Sequence, residues 1–149
     1  MGVMQIDVQG AEEVAAAIRD ARGRLSGAQM QSALMAGALP IMNAAKANAP
    51  KLTGTLARSI HVLSQSSREV EVGTNLVYAA MQEYGGVVAP VNAQFLRFET
   101  PGGDVVFTRG PVHIPAHPYM RPAFESERGR AVREVASAIR DLIAAGGRG

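Results

Sequence analysis

Apolar and polar residues alternate from Met4 to Val8, the period of a short strand, and Gly10 ends it. From Ala11 the spacing lengthens, with Val14, Ala17, Ile18, Ala21 and Leu25 recurring at intervals of three and four. Glu12 and Glu13 fall in the first turn, where the helix dipole favours carboxylates, and Arg22 and Arg24 fall near the end. This predicts a helix of about four turns, closed by Ser26-Gly27. A second helix is predicted from about Ala28 to Ala49, with Met30, Leu34, Ile41, Met42 and Ala45 facing the core. Pro40 should kink or split it, because proline lacks the amide donor and clashes with the preceding turn. Pro50 should stop it, because a residue before proline is pushed out of the helical region.

Leu56 to Leu63 reads as a turn entering a strand, with Ile60 and Val62 on one face, and Ser64 to Ser67 reads as a polar turn. Glu69 to Gly73 alternates again, so the two segments should pair as an antiparallel hairpin. Asn75 offers a helix cap for a short helix marked by Val77, Tyr78, Met81 and Tyr84 and ended by Gly85-Gly86. Residues 87–114 look like an insertion. Within it, Gln94–Glu99 and Val105–Thr108 flank the turn-rich Thr100–Asp104, which makes a second hairpin. Three of the four phenylalanines lie here; we expect Phe95 or Phe98 in the core and the tip, Pro101, Gly102, Gly103 and Asp104, against a partner. After Phe124, residues Val132, Val135, Ala136, Ile139, Leu142 and Ile143 form the apolar stripe of a long amphipathic helix, ending in a frayed tail at 144–149. The expected fold class is α+β: a small, mostly antiparallel sheet packed against long helices, with a hairpin insertion.

Composition narrows the classes. With 149 residues and 47% hydrophobic content, the chain reads as a single domain, 1–149, able to bury a core. It has no cysteine, which removes disulfides, thiolate metal sites and cysteine nucleophiles and fits a reducing cytoplasm. No targeting pattern and no membrane span are read from it, so a soluble chain without a membrane partner is expected. The net charge is only +2, but thirteen of the fifteen basic residues are Arg, which suits protein interfaces and phosphate contacts. A GC-rich coding sequence explains the same bias more simply.

Candidate chemistry is sparse. His113 and His117 are four apart, but Pro115 and Pro118 argue against a helical metal pair. Tyr78 and Glu83 invite an acid/base role; a packed tyrosine and a glutamate bonded to backbone or to arginine is the better reading. No nucleophile elbow or phosphate cradle is present, so neither a catalytic residue, a metal nor a cofactor is expected.

Three short motifs stand out: Ala49-Pro50-Lys51-Leu52-Thr53-Gly54-Thr55-Leu56-Ala57-Arg58-Ser59-Ile60, then Tyr78-Ala79-Ala80-Met81-Gln82-Glu83-Tyr84-Gly85, then Pro115-Ala116-His117-Pro118-Tyr119-Met120-Arg121-Pro122-Ala123-Phe124. Each joins a rigid turn to the start or end of a regular element. In order and spacing they resemble the phage neck and tail-completion family, minor tail components encoded between the head-connector and tail-tube genes of long-tailed phages. The resemblance covers roughly residues 28–128 and assigns Pro50, Gly54, Leu56, Arg58, Tyr78, Glu83, Gly85, Pro118, Arg121 and Pro122 to structural motifs. It implies a structural virion protein, assembled in the host cytoplasm, that completes the tail and joins it to the head. It also implies a homo-oligomer, with a hexameric ring favoured by analogy with sixfold tails. Connector, stopper, tail-terminator or tail-tube proteins would be neighbours, and the ring's channel would allow non-specific contact with genomic DNA. For such a ring the candidate contact residues are Phe95, Phe98, Phe107 and the tip on one surface, His113, His117 and Tyr119 on a second, and Arg130, Arg133 and Arg140 toward other virion proteins. A tail terminator, a head-closure protein or, more remotely, a nucleic-acid-binding regulator remain alternatives; a small hydrolase is the least favoured.

Overall fold

The computed structural model describes residues 16, 19, 23–51, 54–99 and 103–146, with the side chain of Phe98 also left aside. The strand expected at Met4–Val8, the tip residues Pro101 and Gly102 and most of the expected first helix lie outside these, although Ala16 and Arg19 are helical. Among the described residues, two long helices carry the fold: α1 (Gly27–Asn48) and α4 (Met120–Gly146). Between them come α2 (Thr55–Ser59), β1 (His61–Gln65), β2 (Val70–Gly73), α3 (Ala79–Tyr84), β3 (Gly86–Val88), β4 (Leu96–Glu99), β5 (Val105–Thr108) and β6 (Val112–Ile114). The class is α+β, and every strand pair is antiparallel. Among the described residues the strands form three separate two-stranded ladders, β1-β2, β3-β6 and β4-β5.

Ser26 opens α1 through a capping box: its hydroxyl accepts from the Gln29 N–H at 3.2 Å, and the Gln29 side chain accepts from the Ser26 N–H at 2.9 Å. Ser26-Gly27 therefore starts a helix, where the sequence pattern had it closing the previous one. Pro40 does not split α1, which runs on to Asn48. The turns on both sides of Pro40 are held by burial of Met30, Ala33, Gly37, Ile41 and Ala45 along one stripe, and that packing offsets the missing hydrogen bond. Pro50 does end the helix, with Ala49 in the extended region at ψ 139°.

The α1 stripe meets the α4 stripe of Met120, Ala123, Ala131, Val135 and Ile139. Met30 and Ala33 cluster with Val135 and Ile139, whereas Ala45 and Ala49 cluster with Met120 and Ala123, so the helices run antiparallel. They pack tightly at Gly37. A Cβ there would stand 2.5 Å from Val135 Cγ2 and 2.8 Å from the Ala131 carbonyl oxygen, so only glycine allows this approach.

The segment read as a turn into a strand is instead a helical turn, α2, followed by β1, whose range takes in Ser64 and Gln65. Its N-cap, Gly54, has φ 67°, the left-handed region where a Cβ is unfavourable. β1 and β2 form the expected hairpin, with an irregularity between Val62 and Ser64.

Candidate functional site

The three motifs converge. Ala49, Leu56 and Ile60 from the first, Ala79 from the second, and Tyr119, Met120 and Ala123 from the third share one buried cluster with Ala45 and Val72. Ile60 is its largest fully buried side chain, and burying an isoleucine contributes about 2 kcal/mol. At one side of this cluster the Ser59 hydroxyl donates to the Leu56 carbonyl at 2.7 Å and pairs with the Thr74 hydroxyl, also at 2.7 Å. Thr74 in turn accepts from the Leu76 N–H at 3.1 Å. The chain thus leaves β2 under the control of Thr74. Asn75 does not cap α3, whose N-cap is Tyr78.

Glu83 joins the second motif to the third. It is 4% exposed, the one buried charged residue among those described. Its Oε2 accepts from the N–H groups of Tyr119 at 2.7 Å and Met120 at 2.9 Å, and its Oε1 accepts from the Arg121 N–H at 3.0 Å. The start of a helix leaves about four N–H groups without intrahelical partners. For α4 these belong to Tyr119, Met120, Arg121 and position 122. Glu83 takes the first three, and Pro122 has no N–H to satisfy. The carboxylate also sits at the positive end of the α4 dipole, which favours its charge. A carboxylate bonded at both oxygens and enclosed in this way has a structural role at this joint, as the backbone-bonded reading of Glu83 expected.

The same joint is closed by backbone. The His117 N–H donates to the Gln82 carbonyl at 2.7 Å, and Gly85 turns the chain at φ 70°, ψ −175°. A Cβ on Gly85 would lie 2.8 Å from the Ala116 nitrogen and the Ile114 carbonyl oxygen, so this position needs glycine for both dihedral and space. Tyr119, placed above on a partner surface, is 2% exposed and belongs to the core; its phenol is pushed up to about 12 by burial, with the Glu83 charge and then Tyr84 and Tyr78 adding to it. Asn48 reaches its carbonyl from the end of α1 at 3.4 Å.

Immediately after Gly85 the chain leaves this body. β3 pairs with β6 from Gly86↔Ile114 to Val88↔Val112, and β4 pairs with β5 from Leu96↔Thr108 to Glu99↔Val105. The β4-β5 ladder is nested within the β3-β6 ladder, so the two form one antiparallel arm, 86–114. Side chains alternate faces along a strand, yet Val105, Val106 and Phe107 are all exposed, so neither face of β5 is covered. Of Phe95 and Phe98, one of which was expected in the core, Phe95 is 41% exposed and the Phe98 side chain lies outside the described residues; Phe107 is 62% exposed. Among the described residues, β4 and β5 pair only with each other. Phe95 is instead covered in part by Arg109, whose guanidinium carbon lies 4.8 Å from the ring centroid.

The remaining candidates are distributed over the surface. Gly103, at φ 87°, and Asp104 are exposed at the tip, His113 is exposed on β6, and His117 and Pro118 are exposed before α4. Arg130, Arg133 and Arg140 lie on the exposed face of α4, with Arg130 3.7 Å from Glu127 and 3.8 Å from Glu134. Arg58, Arg121 and Pro122 are also exposed, and Pro50 is half-buried. Among the described residues no group of three or more His, Cys, Asp or Glu side chains is arranged to hold a metal ion, and no helix is long and apolar enough to cross a membrane. The capping role of Glu83 was missed in detail because its partners are 36 to 38 residues downstream. A signal was available: a proline at the third helical position, with no capping side chain before it, leaves donors that another element must satisfy.

Residues 12–85 match the family described as Bacteriophage HK97-gp10, putative tail-component, and the match ends at the glycine where the arm begins. Among curated proteins and among solved structures, no match was found. Two of the three convergent motifs fall inside the matched segment, and the similarity of residues 12–85 to this family supports a structural, tail-related protein of a bacteriophage.

Proposed function

We propose that the protein is a neck component that completes the tail and joins it to the head, as a ring of identical copies around the DNA path. The observation that carries the reading is the arm at 86–114, which exposes apolar side chains on both faces of β5 beside a body that is locked by Glu83. A lone two-stranded ribbon is marginal in water, so such an arm gains from being covered. A closed ring needs two different surfaces on each copy. The arm supplies one. The exposed His113–Pro118 stretch and the arginine face of α4 are then free to meet connector, stopper, tail-terminator or tail-tube proteins.

On this reading the protein resides in the virion after assembly in the host cytoplasm, has no catalytic task, and touches DNA only non-specifically through the channel. The test is a reconstruction of the neck in tailed particles. A ring of this protein coaxial with the tail, with six copies favoured, is the expected result; isolated copies away from the axis would overturn it. In parallel, deleting Pro101 to Asp104 and rejoining the strands with a two-residue turn should leave a folded chain that no longer completes particles.

A further inference from the structure

The end of the helix pair where the three motifs converge carries charge of mostly one sign. From Ala21 to Arg68 the sequence has six basic residues and no acidic one, and from Val105 to Phe124 its charged residues are again basic alone. The antiparallel crossing brings these two runs together. Lys46 lies in the last turn of α1, Lys51 in the loop after it, and Arg58 in α2. Arg58 folds back over that loop, since a Cβ on Gly54 would stand 2.8 Å from its Nη1. Arg121 lies in the first turn of α4, and the hydrogen bond from Asn48 to the Tyr119 carbonyl ties this turn to the end of α1. Lys51, Arg58 and Arg121 are exposed and Lys46 is half-buried, so both lysines of the chain share this end with two arginines.

Carboxylates are placed elsewhere or already engaged. Glu83 is buried, and its oxygens accept from three N–H groups. Glu69 lies in the β1-β2 turn at the opposite end of α1, where Ser67 packs 3.7 Å from a Cβ position on Gly27. Glu99 and Asp104 belong to the arm, and Glu127 and Glu134 flank Arg130 further along α4. Glu125, one turn into α4, is the exposed acid nearest in sequence to Arg121. A cationic surface of this kind, built from lysine point charges and arginine forks, fits a row of phosphates, which such contacts hold without reading sequence.

We propose that this end binds the phosphate backbone of double-stranded DNA through Lys46, Lys51, Arg58 and Arg121. For its place in the particle the proposal rests on the ring reading above, with this end of each copy turned to the DNA path. The binding itself is a property of the single chain.

The probe is a short labelled DNA duplex of mixed sequence, titrated with the purified chain and read by fluorescence anisotropy between about 50 and 200 mM salt. Four phosphate contacts give a slope of log K against log salt of about −3.6, roughly a hundredfold loss of affinity across this range. Lys51→Gln and Arg121→Gln should each flatten the slope by about 0.9, and the two combined with Arg58→Gln by about 2.7, at an unchanged melting temperature. Arg68→Gln, exposed at the other end of α1, should leave the slope as it is. Unlabelled duplex, with a charge every ~1.7 Å of its axis, should displace the probe about tenfold more effectively than polyglutamate at equal charge concentration. Absence of binding at the lowest salt, a slope indifferent to Lys51→Gln and Arg121→Gln, or equal displacement by polyglutamate overturns the DNA site and leaves the ring standing. Duplex binding as expected, in a protein whose particles show no coaxial ring, keeps the site and overturns the ring.

Discussion

The body and the arm of this protein use similar residue types in opposite ways. Around Ile60 and Glu83, aliphatic and tyrosine side chains are enclosed, and the unpaired N–H groups at the start of α4 meet a buried carboxylate. In the β4-β5 ribbon Phe95, Val105, Val106 and Phe107, of comparable hydrophobicity, face water, and among the described residues each strand bonds only to its partner. The difference marks where the enclosed body ends and the exposed ribbon starts. Gly85 is the boundary: it is the last residue of the family match, and its positive φ turns the chain out of the body.

The largest expected effect is on the body. Glu83→Ala leaves the Tyr119, Met120 and Arg121 donors without their acceptor, and should cost about 3 kcal/mol or more, lowering the melting temperature by about 6–12 °C. Glu83→Gln keeps one acceptor, which can serve the Tyr119 and Met120 donors, but turns its amide N–H₂ toward the Arg121 N–H, so its loss should be intermediate. If Glu83→Ala melts with the parent, the carboxylate does not hold the joint. Next comes the helix crossing: Gly37→Ala pushes a methyl into Val135 and the Ala131 carbonyl and should cost about 1–3 kcal/mol by denaturant unfolding.

Much of the body was legible from the sequence, and the exceptions have physical causes. Pro50, Gly54 and Gly85 act locally, so their turns followed from their own backbone restrictions. Ser26 and Gln29 spelled a capping box that the preceding helical pattern obscured. Pro40 does not split its helix, because a local rule does not see the neighbour that packs on both sides of the proline. Glu83 could be placed on backbone but not on α4, since nothing local names a partner 36 residues away. The exposure of Phe95 was not legible either, since hydrophobicity does not tell whether a third layer covers a ribbon.

A smaller effect separates the two regions by pH. The Tyr119 phenol has an ordinary value of 10.0 and is held at about 12 in the folded chain. The folded state therefore binds more protons than the unfolded state between these values, and the stability contributed by neutral Tyr119 is complete below pH 10 and lost as the pH rises toward 12. Tyr119→Phe should flatten that part of the alkaline unfolding curve; an unchanged slope would place the origin of alkaline sensitivity elsewhere. The smallest effect is expected on the α4 surface. Replacing Arg130, Arg133 and Arg140 by Gln should change stability by only a few tenths of a kcal/mol per site, because the ion pairs there are long and exposed. Tailed particles should nonetheless fail to form, and normal particle yields would remove that face from the account.

The contrast between body and arm is tested most directly by removing the arm's outer storey. Joining Val88 to Val112 through a two-residue turn keeps the β3-β6 ladder and deletes residues 89–111, including Phe95 and Phe107. The melting temperature of the purified shortened chain, measured beside the yield of tailed particles it supports, should show an unchanged body and no completed particles. A melting temperature lowered as far as that of Glu83→Ala, or a normal particle yield, would contradict the division of this chain into a self-sufficient body and an arm built for contact.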